Sequence, residues 1–282
     1  MIGGARWTVN ASGTEALVYS PCAGARQRRI IARGIGTLEA LLEGARRLGI
    51  ALSAEQRRQF TAHLDGLREW NRRVNLTSAA ALADAERVHF VDSLTLAPLI
   101  QCLRPDAERL LDVGSGAGFP GLPLKIALTR MRVTLIEATG KKAAFLRWAV
   151  EALGLEGVDV LNGRAEEAAR EPALRGKFDV VTARALGPLP VVLELTQPFA
   201  RPGALVALPR AGDVASEAAA AAPIAALLGG RMLKPAPVDM PGLRADAAIV
   251  LVEQVSPSPE RYPRRTGLPA TQPLVGKPGI GR

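Results

Sequence analysis

Cysteine is almost missing from this chain: Cys22 and Cys102 are the only two in 282 residues. So few thiols exclude a disulfide scaffold, and they lack the close pairing from which zinc sites are built. Both read as plain thiols, and no metal is expected. Aromatic residues are scarce too, at 4%. No apolar run reaches the roughly 18 residues that a membrane helix needs. The first residues also lack the charged-then-apolar order of a secretory leader. A soluble, cytoplasmic, monomeric protein is therefore expected. What the chain does have is 48% hydrophobic residues, enough at this length to bury a sizeable core in one or two domains.

Acidic residues are too few to balance the basic ones, leaving a formal net charge of +9. Where the excess lies matters, because a basic balance marks a polyanion partner only if it sits on the folded body. Residues 1–36 carry five arginines against Glu15, and residues 253–282 carry five basic residues against Glu253 and Glu260. The middle of the chain is close to neutral. Basic ends of this kind, if flexible, raise affinity for RNA through phosphate contacts; otherwise they are solvated tails.

Along the chain, residues 1–36 are rich in Gly, Ala and Ser without a sustained period, and we expect a disordered extension. A helical pattern starts at Leu38. Ser53-Ala-Glu-Gln56 then spells a capping box, opening a helix to about Trp70, and a third helix is expected near 86–100. Residues 37–105 thus read as a helical cap. From 106 to 256, strands are expected near 109–113, 133–137, 158–162, 178–183, 204–208 and 246–255, mostly alternating with helices. That order predicts an α/β Rossmann-like fold with a mostly parallel, doubly wound sheet. The helix over 215–230 should be broken by Pro223. After residue 256 comes a basic Pro/Gly-rich tail, expected to be extended.

The chemistry concentrates in Leu110–Leu124, LLDVGSGAGFPGLPL. An apolar run meets an acid and four glycines before a helical pattern, which reads as strand, turn and helix. Gly114, Gly116 and Gly118 carry no Cβ, so the backbone can turn sharply and approach a ligand, with the helix after Pro120 aiming N–H groups at it. Gly116 to Gly121 also spells the short dinucleotide fingerprint G-x-G-x-x-G. Asp112 decides between the readings. D-x-G-x-G-x-G resembles the first motif of S-adenosylmethionine (AdoMet) methyltransferases. Glu137 ends the second strand where such folds place an acid on ribose hydroxyls. Ala165 and Glu166 fall where an adenine edge would lie.

A closer resemblance comes from an ordered set: Trp70-Asn71, Asn75-Leu-Thr-Ser78, His89, Asp92-Ser93, the glycine loop, GKKAAFLR, GRAEE and Thr182-Ala-Arg184-Ala. In that order they are similar to the RsmG (GidB) family, the bacterial 16S ribosomal RNA guanine nitrogen-7 methyltransferases, over about residues 38–256. The resemblance implies AdoMet as cofactor and 16S ribosomal RNA or the small ribosomal subunit as partner. It places Gly114, Gly116, Phe119, Glu137, Ala138, Thr139, Ala165, Glu166 and Arg184 around the cofactor. Arg184 is the candidate for a catalytic role, with the AdoMet carboxylate, a phosphate or the Hoogsteen edge of guanine as its acceptor. Family members place a basic residue directly before His89 and a lysine after the fifth strand. Here Val88 stands at the first position, and Arg210 is expected to supply the second charge from a shifted place. Methylation at nitrogen 7 needs no base, because that atom carries a lone pair and no proton. The Asn/Asp-Pro-Pro-aromatic run of exocyclic-amine enzymes and a nearby cysteine nucleophile are both missing after the fourth strand. Two readings stay beside this one: a small-molecule methyltransferase, and a non-catalytic RNA-binding protein on the same fold.

Overall fold

The computed structural model describes residues 6–9, 15–18 and 38–275. Within the stretch expected to be disordered, β1 (Arg6–Val9) pairs antiparallel with β2 (Glu15–Val18). The rest of residues 1–36 lies outside the described residues, as do 276–282.

The main sheet is built from β3 (Arg109–Val113), β4 (Arg132–Glu137), β5 (Val158–Asn162), β6 (Phe178–Thr182), β7 (Ala200–Ala211), β8 (Gly230–Met232), β9 (Ala236–Pro237) and β10 (Ala247–Gln254). Its order is β5-β4-β3-β6-β7-β10-β8, with β9 also on β10. The first five are parallel and β10 runs antiparallel to its neighbours. Period-two alternation assigns each side chain to a face. Leu110, Leu135, Val180, Leu205 and Leu251 belong to one buried cluster; Leu111, Ile136, Val181, Val206 and Val252 belong to the other. The fold is therefore helix on sheet on helix.

The first face is covered by α1 (Glu39–Arg47), α2 (Ala54–Trp70), α3 (Ala79–Ala83), α4 (Asp92–Leu94), α5 (Leu96–Leu103), α6 (Gly121–Ala127) and α7 (Gly140–Ala152). Leu41, Phe60, Leu64, Phe90 and Leu94 share a core with the sheet's own Leu110 and Leu135. Trp70 meets Phe145 and Trp148 of α7 at ring distances of 5.7 and 5.8 Å. The capping box forms as read, Ser53 and Gln56 exchanging side-chain to backbone bonds. The helix expected over 86–100 is not continuous. A π-helical segment, Glu86–Val91, leads into α4, and α5 begins after Thr95. Pro98 has no N–H for the Leu94 carbonyl, so the ladder loses a bond where the break falls.

On the second face lie α8 (Ala165–Ala168), α9 (Leu189–Thr196) and α10 (Val214–Leu227). Pro223 does not break α10. The helix loses one bond there and continues, because Val214, Ala218, Ala221, Ile224 and Ala225 are all buried. Nor is the described part of the tail, residues 257–275, an extended arm. It docks on this face with Tyr262 buried and includes α11 (Leu268–Thr271). Among the described residues, no helix is long and apolar enough to cross a membrane.

Candidate functional site

Strand order reverses between β3 and β6, the place where open parallel sheets leave a crevice at their carboxyl ends. Asp112 and Thr182 are register partners there, so the glycine loop after β3 and the Arg184 loop after β6 emerge side by side.

Gly116 adopts a left-handed φ of +57°, and a Cβ there meets only the Gly114 carbonyl oxygen at 3.9 Å. The space beside Gly116 is open. Gly114, at φ +72°, is different: a Cβ would lie 2.6 Å from Leu186 Cδ1, so its bareness lets the two loops pack. Glu137 joins a third loop to them. Its Oε2 accepts the Gly116 N–H at 2.9 Å and its Oε1 the Thr139 N–H at 2.7 Å. Asn162 at the end of β5 donates to the carbonyls of Glu137 and Ala138 at 2.8 and 3.2 Å. Ala138 and Thr139 are exposed on the rim. Ala165 and Glu166 are buried, and Glu166 Oε1 accepts the Gly267 N–H at 2.9 Å.

Asp112 is fully buried. Its Oδ2 accepts the first helical N–H of α6, that of Gly121, at 3.0 Å, so that donor is not aimed outward as expected. Its Oδ1 has no partner among the described residues, and burial pushes the carboxyl up to about 7.

Arg184 is a pinned arginine. Its Nη1 donates to the Val88 carbonyl and to Asp92 Oδ2, both at 2.8 Å, and its Nη2 to His89 Nδ1 at 2.8 Å. Its guanidinium lies 5.2 Å from the Phe119 ring centre. Three of its five donors are thereby taken. His89 bonds Thr77 through Nε2 at 2.8 Å and stacks on Phe119 at 4.5 Å. Both ring nitrogens are occupied. Burial and the Arg184 charge lower its pKa to about 4, so the ring is neutral and accepts at Nδ1. The loop is strained where it leaves this cluster: Ala185 has φ +54°, an uncommon value for a residue with a Cβ.

Phe119 itself is 4% exposed, held between rings, and so braces Arg184 rather than lining the open crevice. Its other stacking neighbour is His63, at 5.1 Å. Sequence reading missed His63. It is fully buried, bonds the Ala117 carbonyl at 3.1 Å and has its pKa lowered by burial to about 4. Phe60, His63, Leu64 and Leu67 follow the helical i, i+3, i+4, i+7 spacing, which was the available signal. Asn71 does what a loop-holding side chain should, accepting the N–H groups of Leu76 and Thr77 at 2.9 Å each. Arg210 is not a free charge. It pairs with Glu217 and donates to the Gly187 carbonyl at 2.8 Å, which buttresses the Arg184 loop from behind.

A family model described as GidB, rRNA small subunit methyltransferase G, matches residues 56–234. The chain is 43% identical over 235 residues to the ribosomal RNA small subunit methyltransferase G of Dehalococcoides mccartyi strain CBDB1, covering 83% of this chain and 99% of that one. The protein of the same name from Roseiflexus sp. strain RS-1 is 43% identical over 240 residues, covering 84% and 100%. That of Streptococcus pyogenes serotype M1 is 39% identical over 228 residues, covering 80% and 94%.

Proposed function

This chain belongs to the GidB family of small-subunit ribosomal RNA methyltransferases, and we propose that it moves a methyl group from AdoMet to nitrogen 7 of a guanine in 16S ribosomal RNA. The observation that carries the chemical part is the state of the histidines. His89 has both nitrogens engaged and His63 is sealed in the core, so neither is offered as a base. A site whose histidines are not offered as bases suits an acceptor that has no proton to lose.

The residues fit AdoMet. The open Gly116 cradle admits a ligand against bare backbone, and Glu137 stands beside it with each carboxylate oxygen keeping a lone pair for ribose hydroxyls. Ala138, Thr139, Ala165 and Glu166 frame the adenine end. When bound, AdoMet supplies an electrophilic sulfonium methyl. The chain's own work is alignment, which by itself accounts for a large share of a barrier. Asp92, Val88 and His89 fix one part of the Arg184 guanidinium, leaving Nε–H and one Nη2–H for an acceptor that arrives with cofactor or RNA.

The test is to incubate the protein with labelled AdoMet and 16S ribosomal RNA from a strain lacking this gene, and to map the labelled base. One labelled guanine is expected, and its label should vanish in RNA carrying 7-deazaguanine at that position. Label that persists in the deaza RNA moves the acceptor to another atom. Label without RNA supports the small-molecule reading.

A further inference from the structure

We infer that the C-terminal segment, residues 258–272, is the outer wall of the adenine end of the cofactor site and sets cofactor affinity through Glu166. This rests on the AdoMet reading above and deepens it. The sequence left this segment as either an RNA-contacting arm or a solvated tail; its contacts give it a different task.

The anchoring is strong and one-sided. Arg175 donates to the carbonyls of Ser258 and Tyr262 at 2.8 Å, of Pro259 at 3.0 Å and of Ala169 at 3.1 Å. Arg170 adds the Pro263 carbonyl at 2.8 Å. Arg264 grips Glu194, whose side chain is fully buried, through its backbone N–H at 2.8 Å and its guanidinium at 2.7 Å. Past these anchors the chain reaches α8. Thr266 donates its hydroxyl to Glu167 at 3.0 Å, and the Gly267 N–H reaches Glu166 Oε1 at 2.9 Å.

That last bond is the point of contact with the site. Glu166 is buried at the start of α8. A buried carboxylate needs donors to stay in one orientation. The tail backbone supplies one, fixing Oε1 and leaving Oε2 without a donor among the described residues, the arrangement an exocyclic amine of adenine would complete. Gly267 is thus a positioning residue that acts through Glu166 and needs no side chain to do so.

The test compares AdoMet binding by calorimetry in four proteins: the full chain, a chain ending at Arg265, Glu166→Ala, and both changes together. Ending at Arg265 keeps the Arg264–Glu194 and Arg175 anchors and removes Gly267. Truncation is expected to weaken binding about tenfold in the parent, the scale of one charge-assisted hydrogen bond. It should add nothing once Glu166 is gone. Equal weakening in both backgrounds, or none in either, overturns the inference. Should the shortened chain fail to fold, amide exchange in the intact protein replaces it. Saturating AdoMet is expected to slow exchange at the Gly267 N–H, and an unchanged rate overturns the inference. A full chain that takes up no AdoMet at all overturns the cofactor reading, whereas tight binding that ignores the tail overturns only this one.

Discussion

At the scale of single residues, the carboxylates of this site hold backbone N–H groups. Glu137 holds two N–H groups of different loops, at Gly116 and Thr139. Glu137→Gln keeps the shape and puts an amide donor against one of those N–H donors. AdoMet affinity should fall by about tenfold or more, each such bond being worth about 1.5–3 kcal/mol. Calorimetry that finds no change would leave Glu137 outside the site. Asp112 gives a prediction in pH. Its carboxyl is raised from 3.8 to about 7, so the stability it contributes is full below about pH 4 and lost as pH rises through 7. His63 and His89 work in the other direction. Lowered from 6.5 to about 4, they contribute stability that is full above pH 6.5 and lost as pH falls through 4. Asp112→Asn retains an oxygen for the Gly121 N–H and removes the titration. Urea midpoints should therefore fall less between pH 5 and pH 8 in the variant than in the parent; equal falls would show that Asp112 is ionised at no cost. The glycine loop and Glu137 were legible because spacing after a strand encodes them. The partners of Arg184 were not, since Asp92 lies 92 positions away and nothing local pairs the two.

At the scale of elements, local signals succeeded where local physics decides. The Ser53–Gln56 box needs only four residues to form, and it opens α2 where it was read. The six main strands of the sheet were readable from apolar runs between turns, and β3 to β6 fall within one residue of expectation. Elements set by packing were misread. Pro223 is a helix breaker in isolation, yet the buried face of α10 carries the helix through it. The tail offers no periodicity at all, because what fixes it is a set of distant arginines and one buried glutamate. That contact yields a stability prediction. Arg264→Ala strips Glu194 of its cation and leaves a fully buried carboxylate, which should destabilise the fold by about 3–5 kcal/mol. A denaturant midpoint barely altered by the change would mean the tail detaches at little cost. Replacing both residues by apolar ones should restore much of the loss, as paired burial allows.

At the scale of the whole molecule, three layers bring one arginine, one neutral histidine and one glycine cradle together, and neither histidine is free to act as a base. That bears on the kinetics. With His63 and His89 both near pKa 4, neither changes state above about pH 6. The single-turnover methylation rate at saturating RNA and AdoMet should then be level from pH 6 to 9. Asp112 is the group here that titrates inside that range, and it lies under the loops with its donor partner on α6. A shallow step near pH 7 that disappears in Asp112→Asn would report loop packing, not proton transfer. An ascending limb that survives in Asp112→Asn is a different matter. Loss of a general base costs about 100- to 10,000-fold, so such a limb, together with a collapse of that size in His89→Gln, would require a base in the reaction. The acceptor would then be an atom that sheds a proton on methylation, and nitrogen 7 of guanine would be excluded.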